Sequence, residues 1–331
     1  MPHTPPDAER RRILQAMAGL LLAGPALARG AGEESGDRRQ HLYEWTLPSG
    51  DSALVGRAHV TQVRDGETLH DVARRFDVGY WDIILANPDV DFWLPGTGQP
   101  VIIPRRFILP DTPREGIVIN APELRLYFYP PVGDDSRQRV ITHPIGIGRQ
   151  DWSTPLGSTS VSGKIDGPAW YPPASIRAEA RAKGESLPRR VPPGPDNPLG
   201  AYALRLAMPG YLIHGTNRPA GVGMRVSHGC VRLYPEDIAS MFPQVPRDTP
   251  VRIVHQPLKH TWARGRLWVE AHPLPMTDDF TASDLQFTAD ERRRFEERIT
   301  ATALARGQLP DRGRLADVLE RPTGIPTPVT G

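Results

Sequence analysis

The only cysteine of this chain, Cys230, lies in the segment Ser227–Arg232, and a histidine-bearing segment, Ile213–Thr216, precedes it. A thiol attacks acyl groups as a thiolate, and a free cysteine near neutral pH is only slightly ionised. A histidine within hydrogen-bond reach can stabilise the thiolate, protonate a leaving amine and then activate the acceptor. The pattern predicts a cysteine nucleophile with an imidazole partner.

Two histidines are candidates for that partner. His214 ends the apolar stretch Tyr211–Ile213, which suits a rigidly positioned base. His228 is two residues before Cys230, a spacing that more easily places it beside an oxyanion than on the thiol. Gly229 permits unusual backbone geometry, so amides around it are candidates for an oxyanion site.

Two other interpretations of these residues stay open at this point. One is a buried structural cysteine with core histidines. The other is a zinc site with His214, His228 and Cys230 as ligands, a mixture that zinc tolerates, although no fourth ligand stands out. We expect neither a metal nor a cofactor.

The N-terminus has the pattern of a secretory signal peptide over residues 1–28. A basic segment, Arg10–Arg12, precedes the mostly apolar Ile13–Leu22, and Ala26–Ala28 provides a small-residue cleavage site. The alternative is an N-terminal core helix. Since the apolar segment is short, we expect no transmembrane anchor in the mature protein. An exported protein normally pairs its cysteines, so the lone Cys230 favours a chemical role.

Composition indicates a soluble protein with room for two domains. The chain has 331 residues, 39% of them hydrophobic and 24% charged, and a net charge of +2. Such a balance gives no strong field for nucleic acid or membranes, and we expect no nucleic-acid partner.

Residues 29–58 are polar and Gly/Arg-rich, which predicts a flexible lead-in. Residues 59–104 have a strand–helix–helix–strand pattern, in which Thr68 and Asp71 form a helix N-cap and Asn87-Pro88 ends the second helix. This small α+β (βααβ) unit resembles the LysM domain, which binds N-acetylglucosamine-containing glycans such as peptidoglycan. The alternative is an unrelated α+β domain.

Strand patterns dominate after the linker Pro110–Pro113. Leu124, Leu126 and Phe128 alternate with larger polar and aromatic residues at a period of two. Further strands are predicted at Gly116–Asn120, Arg139–Ile147, Ser158–Gly163, Tyr202–Leu206, Tyr211–His214 and Pro250–Val254. Between them, residues 168–199 form a long Pro-rich segment, either a rigid surface excursion or a substrate-facing lid.

Residues 257–331 are predicted to be a C-terminal extension. Thr288 and Glu291 form a capping-box pattern that opens a helix ending near Arg306, with Gly307 as the stop. The segment Pro322–Gly331 is typical of a disordered tail.

With these elements in place, the segments Ile213–Thr216 and Ser227–Leu233 resemble the signature of the L,D-transpeptidase family, which has a YkuD-type catalytic domain. Thr154–Gly157 and Asn197–Gly200 resemble its flanking motifs. The resemblance covers residues 115–256 and implies a mainly β catalytic domain of mixed β fold. Together with the LysM-like unit, the layout is similar to the periplasmic enzymes of Gram-negative bacteria.

The resemblance assigns roles to individual residues. Cys230 would be the nucleophile and His214 the general base, oriented by the backbone carbonyl of Gly215. His228 and Gly229 would line the oxyanion region. Arg232 and Ser227 would bind substrate. Arg232 would either engage a carboxylate of the stem peptide or stabilise the loop that carries Cys230.

The implied reaction is an acyl transfer on peptidoglycan tetrapeptide stems. Cys230 would attack the carbonyl at the L-centre of meso-diaminopimelate and release D-alanine. An amine would then resolve the thioester, giving a 3→3 crosslink or attachment of an outer-membrane lipoprotein. The alternatives are a cysteine peptidase or amidase that gives the acyl group to water, and a non-catalytic wall-binding protein.

Overall fold

A computed structural model of the protein describes residues 43–48, 50, 52–132, 137–149, 154–273 and 286–331. The predicted signal peptide, residues 1–28, lies outside this described part. The strands are β1 (Glu44–Thr46), β2 (Leu54–Gly56), β3 (His59–Gln62), β4 (Pro100–Ile103), β5 (Arg106–Ile108), β6 (Gly116–Asn120), β7 (Arg125–Tyr129), β8 (Arg139–Pro144), β9 (Ile147–Gly148), β10 (Gly157–Asp166), β11 (Tyr202–Leu206), β12 (Leu212–His214), β13 (Arg225–Ser227), β14 (Val231–Arg232), β15 (Pro250–Val254), β16 (Leu258–Ala263), β17 (Arg266–Ala271) and β18 (Thr327–Pro328). The α-helices are α1 (Leu69–Arg75), α2 (Tyr80–Ala86), α3 (Ala174–Ala182), α4 (Pro235–Met241), α5 (Ala289–Leu304) and α6 (Arg312–Glu320). Within the described ranges, no helix is long and apolar enough to cross a bilayer.

Nine strands form one sheet, in the order β1-β8-β7-β6-β15-β10-β11-β12-β14. The strands predicted at Gly116–Asn120, Tyr202–Leu206 and Pro250–Val254 are confirmed with the same bounds. The catalytic part of the chain is therefore mainly β, as predicted. The sheet ends at β12 and β14, the two strands next to the candidate catalytic residues.

Alternate residues of β7 pack into two different cores on the two faces of this sheet. Leu126 and Phe128 belong to one core, and Tyr127 and Tyr129 to the other. Even Arg125, in the polar half of the predicted alternation, is only 1% exposed. A period of two identifies the two faces of a strand but not whether a second layer covers the polar one.

The segment predicted as βααβ forms β3, α1, α2 and β4, with β3 antiparallel to β4. The predicted cap of the first helix is confirmed, because the Thr68 side chain accepts from the Asp71 N–H and the Asp71 carboxylate accepts from the Thr68 N–H. The second helix ends at Ala86, and the Asn87 side chain then bonds to both backbone groups of Ile102 on β4. These contacts close the unit around its own apolar core.

Two ion pairs fasten the βααβ unit to the sheet. Arg74 on α1 makes a two-bond fork with Glu236 on α4, at 2.8 and 2.9 Å. Arg125 on β7 donates to Asp82 on α2 at 2.8 Å, and both side chains are largely buried. Losing one partner of the buried Arg125–Asp82 pair leaves an uncompensated charge, so this contact resists separation of the two parts.

A close glycine contact also joins the βααβ unit to the rest of the chain. The carbonyls of Val222 and Gly223 accept the N–H groups of Tyr80 and Trp81 at the start of α2. A Cβ atom at Gly223 would lie 2.1 Å from the Tyr80 nitrogen, and the backbone there has φ +81°. Since Gly223 lies between His214 and Cys230 in the chain, the βααβ unit packs directly on the segment that joins the two candidate catalytic residues.

The flexible lead-in predicted for residues 29–58 is wrong for its C-terminal part. Strand β1 pairs antiparallel with β8 and forms an edge of the nine-stranded sheet. Trp45 packs edge-on against Phe107, and Glu44 pairs with Arg139 at 2.6 Å. These partners are distant in sequence, so the polar composition of the segment does not reveal them.

The disordered tail predicted for Pro322–Gly331 is also wrong. Strand β18 pairs with β17, and Val329 and Thr330 are buried. The Thr330 hydroxyl accepts from the Leu267 N–H at 2.9 Å. A short polar strand is stabilised here because the hairpin β16–β17 offers it an open edge.

The helix predicted to open at Thr288 is confirmed as α5, with the expected capping box. Its apolar face, Phe295 and Ile299, packs on the same core as Leu267 and Val269 of β17. The hairpin in turn is attached to the sheet through buried charges. Lys259 contacts Glu123 and also lies 3.1 Å from Glu270.

We predict that Gly223→Ala lowers the melting temperature of the protein more than Gly66→Ala does. Both glycines have positive φ, but an added Cβ meets nothing within 4 Å at Gly66 and overlaps the α2 backbone at Gly223. The left-handed conformation alone costs roughly 1 kcal/mol, and the overlap adds at least about as much again. Thermal unfolding of the two variants measures the difference, and equal shifts would contradict the close glycine contact.

Candidate active site

The pairing of β12 with β14 brings the two catalytic candidates together. These strands are parallel, with Ile213 opposite Val231 and His214 opposite Arg232. The same register puts Cys230 opposite Leu212, so Cys230 and His214 lie on one face of the strand pair, one step apart along it. The two segments singled out in the sequence therefore meet at the end of the sheet.

His214 is buried, and its ring is held by the backbone. Its Nδ1 lies 2.5 Å from the carbonyl oxygen of Gly215, and since a carbonyl only accepts, Nδ1 carries the proton. Burial lowers the pKa of His214 to about 3, helped by the charge of Arg232 and opposed by the carbonyls of Gly215 and Leu199. The neutral ring thus keeps the Nε2 lone pair available to take a proton.

The motif Asn197–Gly200 supports the backbone around His214. The fully buried Asn197 side chain donates to the carbonyl of Pro168 at 2.8 Å and accepts from the Leu199 N–H at 2.9 Å. At Gly200, with φ +68°, a Cβ would lie 2.9 Å from the Thr216 nitrogen. Only a glycine allows this approach, which explains why the motif ends in one.

Cys230 has no disulfide partner and is half-buried. Its Sγ lies 3.7 Å from the carbonyl oxygen of Gly210. Burial raises the pKa of the thiol, although a hydrogen bond from the Leu212 backbone and the charge of Arg232 act in the opposite direction. Among the described residues no hydrogen bond joins the thiol to the His214 ring. Burial therefore disfavours both the thiolate of Cys230 and the imidazolium of His214.

Ser227, predicted to bind substrate, instead supports the nucleophile loop, defined here as residues 227–230. Its hydroxyl donates to the Cys230 carbonyl at 2.5 Å and accepts from the Gly229 N–H at 3.1 Å, and the residue is 1% exposed. The Gly229 N–H therefore donates a hydrogen bond within the loop, and the role of Gly229 at the oxyanion stays a prediction. Gly229 has φ +100°, which allows the tight turn before the thiol.

Thr154, the first residue of the other flanking motif, connects the nucleophile loop to β9. Its hydroxyl donates to the Gly229 carbonyl at 2.9 Å and accepts from the Gly148 N–H at 3.1 Å. The sequence marks Thr154 only as part of a motif. The structure supplies its physical role, which is to hold the turn that presents Cys230.

His228 points away from the zinc arrangement considered for it. Its Nε2 contacts Glu179 on α3 at 2.9 Å, so it does not share a ligand site with His214 and Cys230. Helix α3 lies inside the Pro-rich segment 168–199, where the sequence pattern predicts no helix. No motif in the sequence marks Glu179, because its importance arises only from the packing of α3.

Arg232 and Arg225 are cations beside the nucleophile loop. Burial lowers the pKa of both guanidinium groups. Neither makes a salt bridge within the described parts of the chain, whereas Arg149 pairs with Glu179. Arg225 was not singled out in the sequence; its position on β13, two residues before Ser227, could have suggested it.

Comparison with known proteins identifies the family. The family model "YkuD: L,D-transpeptidase catalytic domain" matches residues 114–253. The chain is 46% identical over 235 residues to "Probable L,D-transpeptidase YcfS" of Escherichia coli, covering 69% of this chain and 72% of that protein. It is 38% identical over 290 residues to "Probable L,D-transpeptidase ErfK/SrfK" of Salmonella typhimurium, covering 86% of this chain and 91% of that protein.

Among solved structures, L,D-transpeptidase 3 from Mycobacterium tuberculosis is 18% identical, with a TM-score of 0.31 over 65% of this chain and 99% of that one. The sequence relatives carry the assignment by themselves. The chain belongs to the family of L,D-transpeptidases with a YkuD-type catalytic domain, and it is an enzyme of that activity. The resemblance of residues 115–256 to the L,D-transpeptidase family is thereby confirmed.

We predict that alkylation of Cys230 by iodoacetamide becomes faster with pH throughout the neutral range. Because the raised thiol pKa keeps the thiolate a minor species, the rate should rise about tenfold per pH unit between about pH 6 and 8. Mass spectrometry of quenched samples measures the rate. A rate that is flat from pH 5 to 7 would indicate a preformed ion pair with His214 and contradict the neutral resting state.

Proposed function

We propose that this L,D-transpeptidase uses Cys230 as its nucleophile and His214 as its base, on a tetrapeptide stem of peptidoglycan. The observation that carries the proposal is the β12–β14 register, which puts a thiol and a neutral, backbone-held imidazole on one face. A buried structural cysteine would need neither the oriented imidazole nor the turn at Gly229.

In the first step the thiol attacks the carbonyl at the L-centre of meso-diaminopimelate. An S–C bond forms, the Cys230 proton passes to Nε2 of His214, and the Cys230 N–H stabilises the oxyanion. Collapse of the intermediate breaks the C–N bond, and His214 returns the proton to the departing D-alanine. In the second step an amine attacks the thioester and loses a proton to His214. The C–S bond then breaks as the new amide forms, and His214 returns the proton to the departing thiolate.

Arg232 and Arg225 are proposed to bind carboxylates of the donor stem. Each is a partly desolvated cation without an acidic partner in the described parts of the chain, and a substrate carboxylate would satisfy both charge and hydrogen bonds. The donor stem carries free carboxylates close to the scissile bond. Arg232 and Arg225 would therefore favour donor tetrapeptides that carry free carboxylates near the scissile bond.

The βααβ unit is proposed to be a LysM domain that binds the glycan strand. Its contacts with β7, α4 and the Val222–Gly223 segment support a docked arrangement rather than a tethered one. Binding would then do more than raise the local concentration of substrate. It would present each stem to Cys230 from a fixed direction.

Location and acceptor complete the proposal. The signal-peptide pattern at residues 1–28 supports export to the periplasm, where peptidoglycan is accessible. The acceptor is either the side-chain amine of a second diaminopimelate or the C-terminal lysine of an outer-membrane lipoprotein. Both are primary amines, and both fit the second step.

We predict that Cys230→Ala abolishes acyl transfer while leaving the fold intact, because only the thiol is lost from a half-buried position. The assay is expression of the full chain in cells that lack such enzymes, followed by mass spectrometry of digested sacculi. New dimers identify 3→3 crosslinking, and lipoprotein adducts identify attachment. Shortened monomers alone would favour the hydrolase, and activity retained by Cys230→Ala would exclude the proposed nucleophile.

We also predict that Leu94→Asp weakens binding to isolated sacculi. Leu94 is 83% exposed in the loop before β4. In the same loop, the Thr97 hydroxyl donates to Asp65 in the loop before α1. Leu309 is 74% exposed in the C-terminal extension, so Leu309→Asp is the matched control and should bind like the parent protein. Cosedimentation in the Cys230→Ala background separates binding from catalysis. Equal binding by both variants would place the glycan elsewhere.

A further inference from the structure

Every residue of the nucleophile loop is held by a specific contact. The Ser227 carbonyl accepts from the Arg149 N–H at 3.0 Å. Thr154 holds the Gly229 carbonyl, and the Ser227 hydroxyl holds that of Cys230. Three of the four residues are thus held by backbone groups or by neighbouring hydroxyls. His228 is different, because its anchor comes from a helix outside the sheet.

That anchor is Glu179 on α3. One carboxylate oxygen of Glu179 lies 2.9 Å from Nε2 of His228. Arg149 holds the same carboxylate with two N–H donors, at 3.2 and 2.7 Å, and Lys183 reaches it at 3.0 Å. The Glu179 carboxylate therefore connects three parts of the chain, namely α3, Arg149 directly after β9, and the nucleophile loop.

The charges determine the direction of the His228 contact. The hydrogen bonds from Arg149, His228 and Lys183 hold the pKa of Glu179 well below its usual range, so the side chain is a carboxylate and only accepts. Nε2 of His228 must then carry a hydrogen atom, and its N–H donates a hydrogen bond to Glu179. The guanidinium of Arg149, 3.2 Å from the same Nε2, consequently acts on Glu179 rather than on the ring.

The segment that contains α3 is closed by backbone hydrogen bonds where it leaves and rejoins the sheet domain. Trp170 and Val191 exchange two backbone hydrogen bonds, at 2.9 and 2.8 Å, and so close the segment that contains α3. Asn197 then donates to the carbonyls of Pro168 and Pro192 at the same place. These hydrogen bonds fix the position of α3, and α3 in turn fixes Glu179 beside His228.

We propose that Glu179 is a positioning residue for acyl transfer: by holding His228 it orients the nucleophile loop, so that the Cys230 N–H faces the oxyanion. The inference rests on the proposed role of Cys230. Glu179 touches no reacting atom. Its contribution is therefore specific to steps that form an oxyanion, and absent from reactions of the thiol that form none.

Two reactions of Cys230 separate these cases. Acylation by the carbapenem ertapenem passes through a tetrahedral oxyanion and needs the oriented amide. Alkylation by iodoacetamide is a displacement at a saturated carbon and needs only an accessible thiol. Both are measured on the full-length protein by intact mass, together with the melting temperature of each variant.

The variants are Glu179→Ala, Glu179→Gln and Lys183→Ala. Glu179→Ala should slow acylation at least about tenfold and leave alkylation within about twofold of the parent rate. Glu179→Gln keeps one oxygen that can accept from His228 and should lose less. Lys183→Ala is the matched control, because it removes a contact to the same carboxylate without touching His228; both of its rates should equal those of the parent.

Each other outcome overturns the inference in a recognisable way. Unchanged acylation in Glu179→Ala would show that the His228 contact does not orient the loop. An equal fall in both rates, with a lower melting temperature, would show a merely structural role. If the parent protein itself is not acylated at Cys230, the proposed nucleophile fails, and the positioning role fails with it.

Discussion

The parallel pairing of β12 with β14 is the interaction on which the rest of the site depends. Two short strands, each too small to be stable alone, are joined by backbone hydrogen bonds, and their register alone decides that Cys230 and His214 share a face. A slip of one residue would turn the thiol to the opposite face. The surrounding contacts, from Thr154, Ser227 and Asn197, can be understood as the means of preventing such a slip.

The chain between those strands has a second use. Its Val222–Gly223 carbonyls receive the first N–H groups of α2, so the βααβ unit is built onto the catalytic segment. The largely buried pair of Arg125 with Asp82 and the partly exposed fork of Arg74 with Glu236 add orientation. In this arrangement the βααβ unit and Cys230 share one rigid frame.

Local signals predicted the elements well where local physics decides them. The capping boxes at Thr68 and Thr288 and the alternation in β7 needed no information from distant residues. Predictions failed where a distant partner decides. Strands β1 and β18 are polar segments that exist only because β8 and β17 offer open edges. Helix α3 was not predicted for the same reason, since its sequence is only weakly apolar and is flanked by prolines.

The sequence by itself determined the chemistry of this protein. The lone thiol, the two histidines and their flanking glycines form short contiguous motifs, and these motifs identify the family without any structure. Only the tertiary structure decided how that chemistry is arranged. It showed a neutral imidazole whose pKa burial lowers to about 3, and a Ser227 that supports the loop. It also turned His228 toward Glu179. Burial, register and contacts between distant residues set these properties, and none of them is encoded at a single position.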